Sequence, residues 1–207
     1  MSLRTVVKVG SITNLSDARY CAGMGVDMLG FCLDVADKNF VNPAVFQAIT
    51  EWVAGVRLIG ELPTADAQAV ADLRLQYNLD GLQLNHTADW PELKATGLTL
   101  VCRVPWRPGT TLEAFREQYD PVKPYADFFL LESDAAVLSP ETLYELQRVA
   151  EHFPVLLGFG LDSGTVLQTL ADLPLAGVAL NGGQEVRPGY RDFGDLAEIL
   201  ETLEDES

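Results

Sequence analysis

Eight short apolar runs, each followed by a polar or helix-patterned stretch, recur along a chain of 207 residues. They fall at 5–9, 28–33, 56–60, 80–84, 98–104, 127–131, 155–159 and 177–180. Within each run the apolar residues are nearly continuous rather than alternating, the pattern of strands covered on both faces. The intervening segments carry helix-start signals. Asn14 stands three residues before Asp17, and Asn42-Pro43 and Ser139-Pro140 each join a capping side chain to a proline suited to a first helical turn. The stretch 65–77 reads as an amphipathic helix, and 193–203 closes the chain as a final helix. Strand–helix pairs repeated in this way lead to a parallel sheet wrapped by helices.

Eight is the number of strands that closes such a sheet into a (β/α)8 barrel, a TIM barrel, here one α/β domain spanning 1–207 with a frayed acidic tail at 204–207. A doubly wound open sheet is the alternative, but it usually carries its glycine-rich turn after the first strand. In this chain the glycines come late, in Leu157-Gly-Phe-Gly-Leu-Asp-Ser-Gly164 and Leu180-Asn-Gly-Gly-Gln-Glu185. Such turns let backbone amides approach an anion, and a barrel places its phosphate site after strands seven and eight. Gly158, Gly160, Asn181, Gly182 and Gly183 are thus candidate phosphate-binding residues. The plain alternative is that the glycines only close tight strand–helix turns.

Thirty acidic residues against 14 basic ones give a formal net charge of −16. A field of that sign repels nucleic acid and anionic membranes, so neither is expected as a partner. A small phosphorylated metabolite would need local amides and a few placed cations. No apolar run approaches the length of a membrane span, and the opening residues pass directly into strand-like Val6-Val-Lys-Val9 without an apolar leader. A cytoplasmic protein is the expectation. Cys21, Cys32 and Cys102 lie in apolar segments without C-x-x-C spacing, so buried thiols are expected rather than disulfides or a metal site. Self-association, such as a homodimer, is left open.

Several stretches, in order and nearly end to end, resemble the phosphoribosylanthranilate isomerase family. Lys8-Val-Gly-Ser-Ile-Thr-Asn14 is similar to that family's Lys-Ile-Cys-Gly-Ile-Thr-Asn, and Gly25-Val-Asp-Met-Leu-Gly-Phe31 to Gly-Ala-Asp-Ala-Leu-Gly-Phe. Asp80-Gly-Leu-Gln-Leu-Asn85 resembles Asp-Val-Val-Gln-Leu-His, and Asp127-Phe-Phe-Leu-Leu-Glu-Ser133 resembles Asp-Ala-Leu-Leu-Leu-Asp-Ser. The two glycine turns match Ala-Gly-Gly-Leu and Ser-Ser-Gly-Val-Glu. The resemblance implies a (β/α)8 barrel that converts an N-linked ribosyl phosphate from aldose to ketose, an Amadori rearrangement in tryptophan biosynthesis, with no metal or organic cofactor.

It also places the family's general-base cysteine at Gly10, which has no side chain and leaves the base missing there, and its general-acid aspartate at Glu132. The family's substrate-binding arginine falls on Asn39, with Lys38 beside it, and its histidine on Asn85, with His86 next. Glu132, at the end of a strand, is the candidate acid. Glu61 is a candidate base, ahead of Asp34 and His86 as substitutes, and Cys32 could line the site if it faces the barrel axis. Arg103, a charge inside an apolar strand, either meets an anionic ligand or pairs with Glu132 or Glu61. Trp106 and Tyr190 could stack on a ring or simply pack. Two readings follow: an isomerase with a relocated base, for which cysteine at position 10 should raise activity, or a non-catalytic barrel binding a phosphorylated metabolite or a protein.

Overall fold

A computed structural model describes residues 2–205 apart from 183, 188, 189 and 193, with the backbone alone described at 184–187, 190–192 and 194. Eight parallel strands, β1 (Val6–Gly10), β2 (Met28–Cys32), β3 (Arg57–Glu61), β4 (Gly81–Asn85), β5 (Thr99–Pro105), β6 (Phe128–Glu132), β7 (Val155–Leu157) and β8 (Gly177–Asn181), pair in that order, and β8 returns to β1 to close the barrel. The helices are α1 (Leu15–Gly23), α2 (Pro43–Thr50), α3 (Ala67–Arg74), α4 (Trp90–Lys94), α5 (Leu112–Tyr119), α6 (Pro140–Ala150), α7 (Val166–Asp172) and α8 (Gly194–Thr202). The expected caps are in place. Asn14, Asn42 and Ser139 accept the backbone N–H three residues on, at the starts of α1, α2 and α6.

Five strands run one residue later than the apolar runs suggest, and for β4 and β6 the reason is electrostatic. Asp27, Asp80 and Asp127, each one residue before a strand, accept the N–H of Val7, Leu58 and Leu100 on the preceding strand, each at 2.8 Å. The carboxylates of Asp80 and Asp127 thus tie down the bottom of the barrel, and the strands start after them. At the other end the shift matters more: Gly10, Glu61, Asn85 and Glu132 become the last residues of their strands. An antiparallel hairpin of β9 (Gln184–Arg187) and β10 (Tyr190–Asp192) lies between β8 and α8, where the sequence suggested only loop. Within the expected frayed tail, Glu204 bridges to Leu3 and the Asp205 N–H donates to the Ser2 carbonyl; 206 and 207 lie outside the described residues.

Alternation along the strands sorts the interior. Met28, Ile59, Val101, Leu130, Leu156 and Ala179 form a small apolar cluster separate from the large one beneath the helices. These are the axis-facing residues, one from each of six strands. The next axis-facing position on each, two residues on, is Gly30, Glu61, Arg103, Glu132, Gly158 or Asn181. The layer above the apolar plug is therefore polar or bare, at the carboxyl ends of the strands.

Candidate active site at the carboxyl ends of the strands

Lys8 is 1% exposed, deep inside β1. A buried ammonium needs a partner, and Glu61 supplies it: Nζ lies 2.5 Å from Oε1. The other oxygen, Oε2, accepts the Ser11 N–H at 3.2 Å. To get there the Glu61 side chain crosses from β3 over β2 to β1. The crossing is open because the intervening positions have no side chains. A Cβ on Gly30 would collide with the Glu61 carboxylate and the Lys8 ammonium, and one on Gly10 would stand 2.9 Å from Glu61 Oε1 and 3.3 Å from Lys8 Nζ. The glutamate thus occupies the space in which a side chain at position 10 would sit.

Across the mouth, Arg103 Nε meets Glu132 Oε2 at 2.5 Å. Of the two partners the sequence left open, Glu132 is the one engaged. The pair is far more open than the first, with side chains 55% and 29% exposed. The hydrogen bond to Glu132 raises the Arg103 pKa above its ordinary value, against an opposing pull from burial. Both glutamates line one cavity of about 220 Å³, together with Gln83, Cys32, Asp34 and Asn181. A second cavity of about 490 Å³ shares Ser11, Arg103, Glu132 and Asn181 and extends over Gly158 and Trp106.

The structure brings Glu61, Glu132, Arg103 and Asn181 together and sets other candidates apart. His86 hydrogen-bonds Gln118 and packs edge-on against Tyr119, away from both cavities. Cys32 does face the site, and burial, with lesser contributions from Asp37, Glu61 and Asp34, raises its thiol pKa. Lys38 is exposed and outside the cavity lining, whereas Asn39 is part of it. Trp106 is 3% exposed and lies over Phe159, its rings 6.4 Å apart, so packing accounts for much of its surface. The Tyr190 side chain and Gly183 lie outside the described residues.

The late glycines divide. Gly158 and Asn181 reach the outer cavity, but the Gly158 N–H donates to the Leu131 carbonyl and the Gly182 N–H to the Gly10 carbonyl. Those two amides serve the barrel. Gly160 has φ +70°, a left-handed conformation, and a Cβ there would run into Leu138, so the tight turn explains that glycine. Ahead of α7, the Asp162 carboxylate accepts the Gly164 N–H and the Thr165 hydroxyl, both at 2.9 Å. Among the described residues, no group of His, Cys, Asp and Glu is arranged to hold a metal ion, and no helix is long and apolar enough to cross a membrane.

Two glutamates lining one cavity at the carboxyl mouth of a closed ring of eight strands define the class: a (β/α)8 barrel with ionisable side chains at the face where such barrels place their active sites. No family model matches the chain. It is 26% identical over 196 residues to the N-(5′-phosphoribosyl)anthranilate isomerase of Maridesulfovibrio salexigens, covering 93% of this chain and 95% of that protein. The Synechococcus enzyme of the same name, strain JA-2-3B'a(2-13), is 27% identical over 221 residues, 97% of this chain and 91% of its own. Among solved structures, the isomerase from Pyrococcus furiosus superposes with a TM-score of 0.76 at 17% identity, covering 97% of this chain and 98% of that one. A phosphoribosyl anthranilate isomerase in complex with reduced 1-(o-carboxyphenylamino)-1-deoxyribulose 5-phosphate gives 0.75 at 19% identity, over 96% and 98%. Over nearly its whole length the chain is similar to phosphoribosylanthranilate isomerases in sequence and in fold.

Proposed function

We propose that this protein is an intramolecular aldose–ketose isomerase acting on an N-linked ribosyl 5-phosphate, the reaction type of its curated relatives in tryptophan biosynthesis, with Glu61 as base and Glu132 as acid. One observation carries the reading: the Glu61 carboxylate lies where a side chain at position 10 would project, 2.9 Å from that missing Cβ. Glu132 donates a proton to the ribose ring oxygen as the C1–O bond breaks and the nitrogen lone pair forms C=N. Glu61 then takes the C2 proton, and the C–H electrons form C1=C2 while neutralising the iminium. The enolamine tautomerises to the ketone, which returns the protons and leaves the formula unchanged. Each proton transfer is worth about 10²–10⁴ in rate.

An anionic substrate group competes with Glu132 for Arg103 and frees the glutamate to act. Gly158, Gly160, Asn181, Gly182 and Gly183 remain the proposed surroundings of the phosphate, with Gly158 and Gly182 shaping the site rather than lending their amides. A cytoplasmic location and a homodimer belong to the same reading. Purified protein incubated with the ribosyl 5-phosphates of anthranilate and of aniline should convert at least one. Glu61→Gln should lower kcat by at least about 10² with little change in KM. The competing reading, a non-catalytic barrel that binds a phosphorylated metabolite, is favoured by the ion pairing of both carboxylates. Binding without turnover of either compound would establish it.

A further inference from the structure

The inner cavity is built to receive hydrogen-bond donors and to repel anions. Four carboxylates line it, on Asp34, Asp37, Glu61 and Glu132, against one lining cation, Arg103. Arg103 is engaged by Glu132, and Lys8 answers Glu61 from below. Asp34 and Asp37 have no ion-pair partner among the described residues; their Oδ1 atoms accept only the N–H groups of Ala36 and Asn39 within their own loop. Independently of the charges, Gln83 is 6% exposed, lines the same cavity, and has a buried Oε1 with no hydrogen-bond partner among the described residues. A buried acceptor without a donor costs free energy until a ligand or water supplies one.

We infer that the group attached to the ribosyl nitrogen of the substrate is neutral or cationic and carries an O–H or N–H donor, not a carboxylate. This rests on the isomerase reading and narrows its substrate class. The loop from 34 to 39 selects by charge: an anionic ring substituent on that side meets Asp34 and Asp37, while the loop's own cation, Lys38, is exposed and lies outside the cavity lining. A hydroxyl or ammonium finds those carboxylates and the Gln83 carbonyl.

Binding of inert product analogues tests this without depending on turnover. The probes are the reduced 1-arylamino-1-deoxyribulose 5-phosphates in which the aryl group is phenyl, o-carboxyphenyl or o-(aminomethyl)phenyl, titrated calorimetrically into the full chain. The carboxylated analogue should bind about tenfold more weakly than the neutral one, and the ammonium analogue at least as tightly as the neutral one. The double variant Asp34→Asn, Asp37→Asn keeps the loop's Oδ1 acceptors and should close most of that gap by strengthening only the carboxylated analogue. Equal or tighter binding of the carboxylated analogue overturns the inference while leaving the isomerase reading intact. Failure of all three to bind overturns both.

Discussion

The two ion pairs at the barrel mouth have the same 2.5 Å separation and different physical meanings. Lys8–Glu61 is enclosed, its side chains 2% and 12% exposed, and it adds a second hydrogen bond from the Ser11 amide. Arg103–Glu132 is open to solvent. Water screens the outer pair and competes for each partner, so it contributes about 0–1 kcal/mol. The inner pair is different: removing one member strands the other's charge at a cost of about 3–5 kcal/mol. Distance alone therefore says little. The enclosed pair is a fixed part of the barrel, while the exposed pair can be exchanged for a ligand.

The largest expected effect breaks the inner pair. Lys8→Met should destabilise the fold by about 3–5 kcal/mol in urea unfolding, and adding Glu61→Leu should recover much of the loss. A cost below about 1 kcal/mol for the single variant would remove the distinction between the pairs. Next come the glycines that make room. Gly30→Ala should cost about 1–3 kcal/mol and Gly10→Ala less, because the collision at Gly30 involves both the carboxylate and the ammonium. For the same reason Gly10→Cys should lower turnover rather than raise it, reversing the expectation from the sequence; a rate increase would show that the thiol and Glu61 can share the space.

Smaller effects sharpen the outer side. Arg103→Ala should change stability by less than about 1 kcal/mol, with the difference shrinking at high salt. The cysteines give the smallest signal. Burial pushes the Cys21 and Cys102 thiols up to about 12, and Cys32 is raised by burial and its acidic neighbours. A raised pKa means the protonated thiol persists at pH 8, so iodoacetamide should leave Cys21 and Cys102 unmodified in the native protein and label Cys32 slowly. Mass spectrometry before and after unfolding reads this directly. Rapid native labelling of Cys32 would mean that burial and the carboxylates of Asp37, Glu61 and Asp34 do not hold its thiol protonated.

Much of the architecture was legible because it depends on local pattern. Apolar runs, caps at Asn14, Asn42 and Ser139, and strand–helix alternation are one-dimensional signals, and they gave eight strands in the right order. The starts of β4 and β6 slipped by a residue because Asp80 and Asp127 serve the neighbouring strand, a role that exists only across a 22- or 27-residue separation. The β9–β10 hairpin was not anticipated in a stretch rich in glycine and charge.

The sequence by itself determined the barrel, the polar layer at its mouth and the absence of a side chain at position 10, since each follows from residue type and period. Only the tertiary structure decided what that absence is for. Lys8 and Glu61 are 53 positions apart, and their meeting depends on β1, β2 and β3 lying side by side with glycine on the strand between them. In the sequence, Gly10 is a lost functional group. In the closed barrel it is the opening through which a glutamate from another strand reaches the axis, because a side chain's surroundings are set by its neighbours in space.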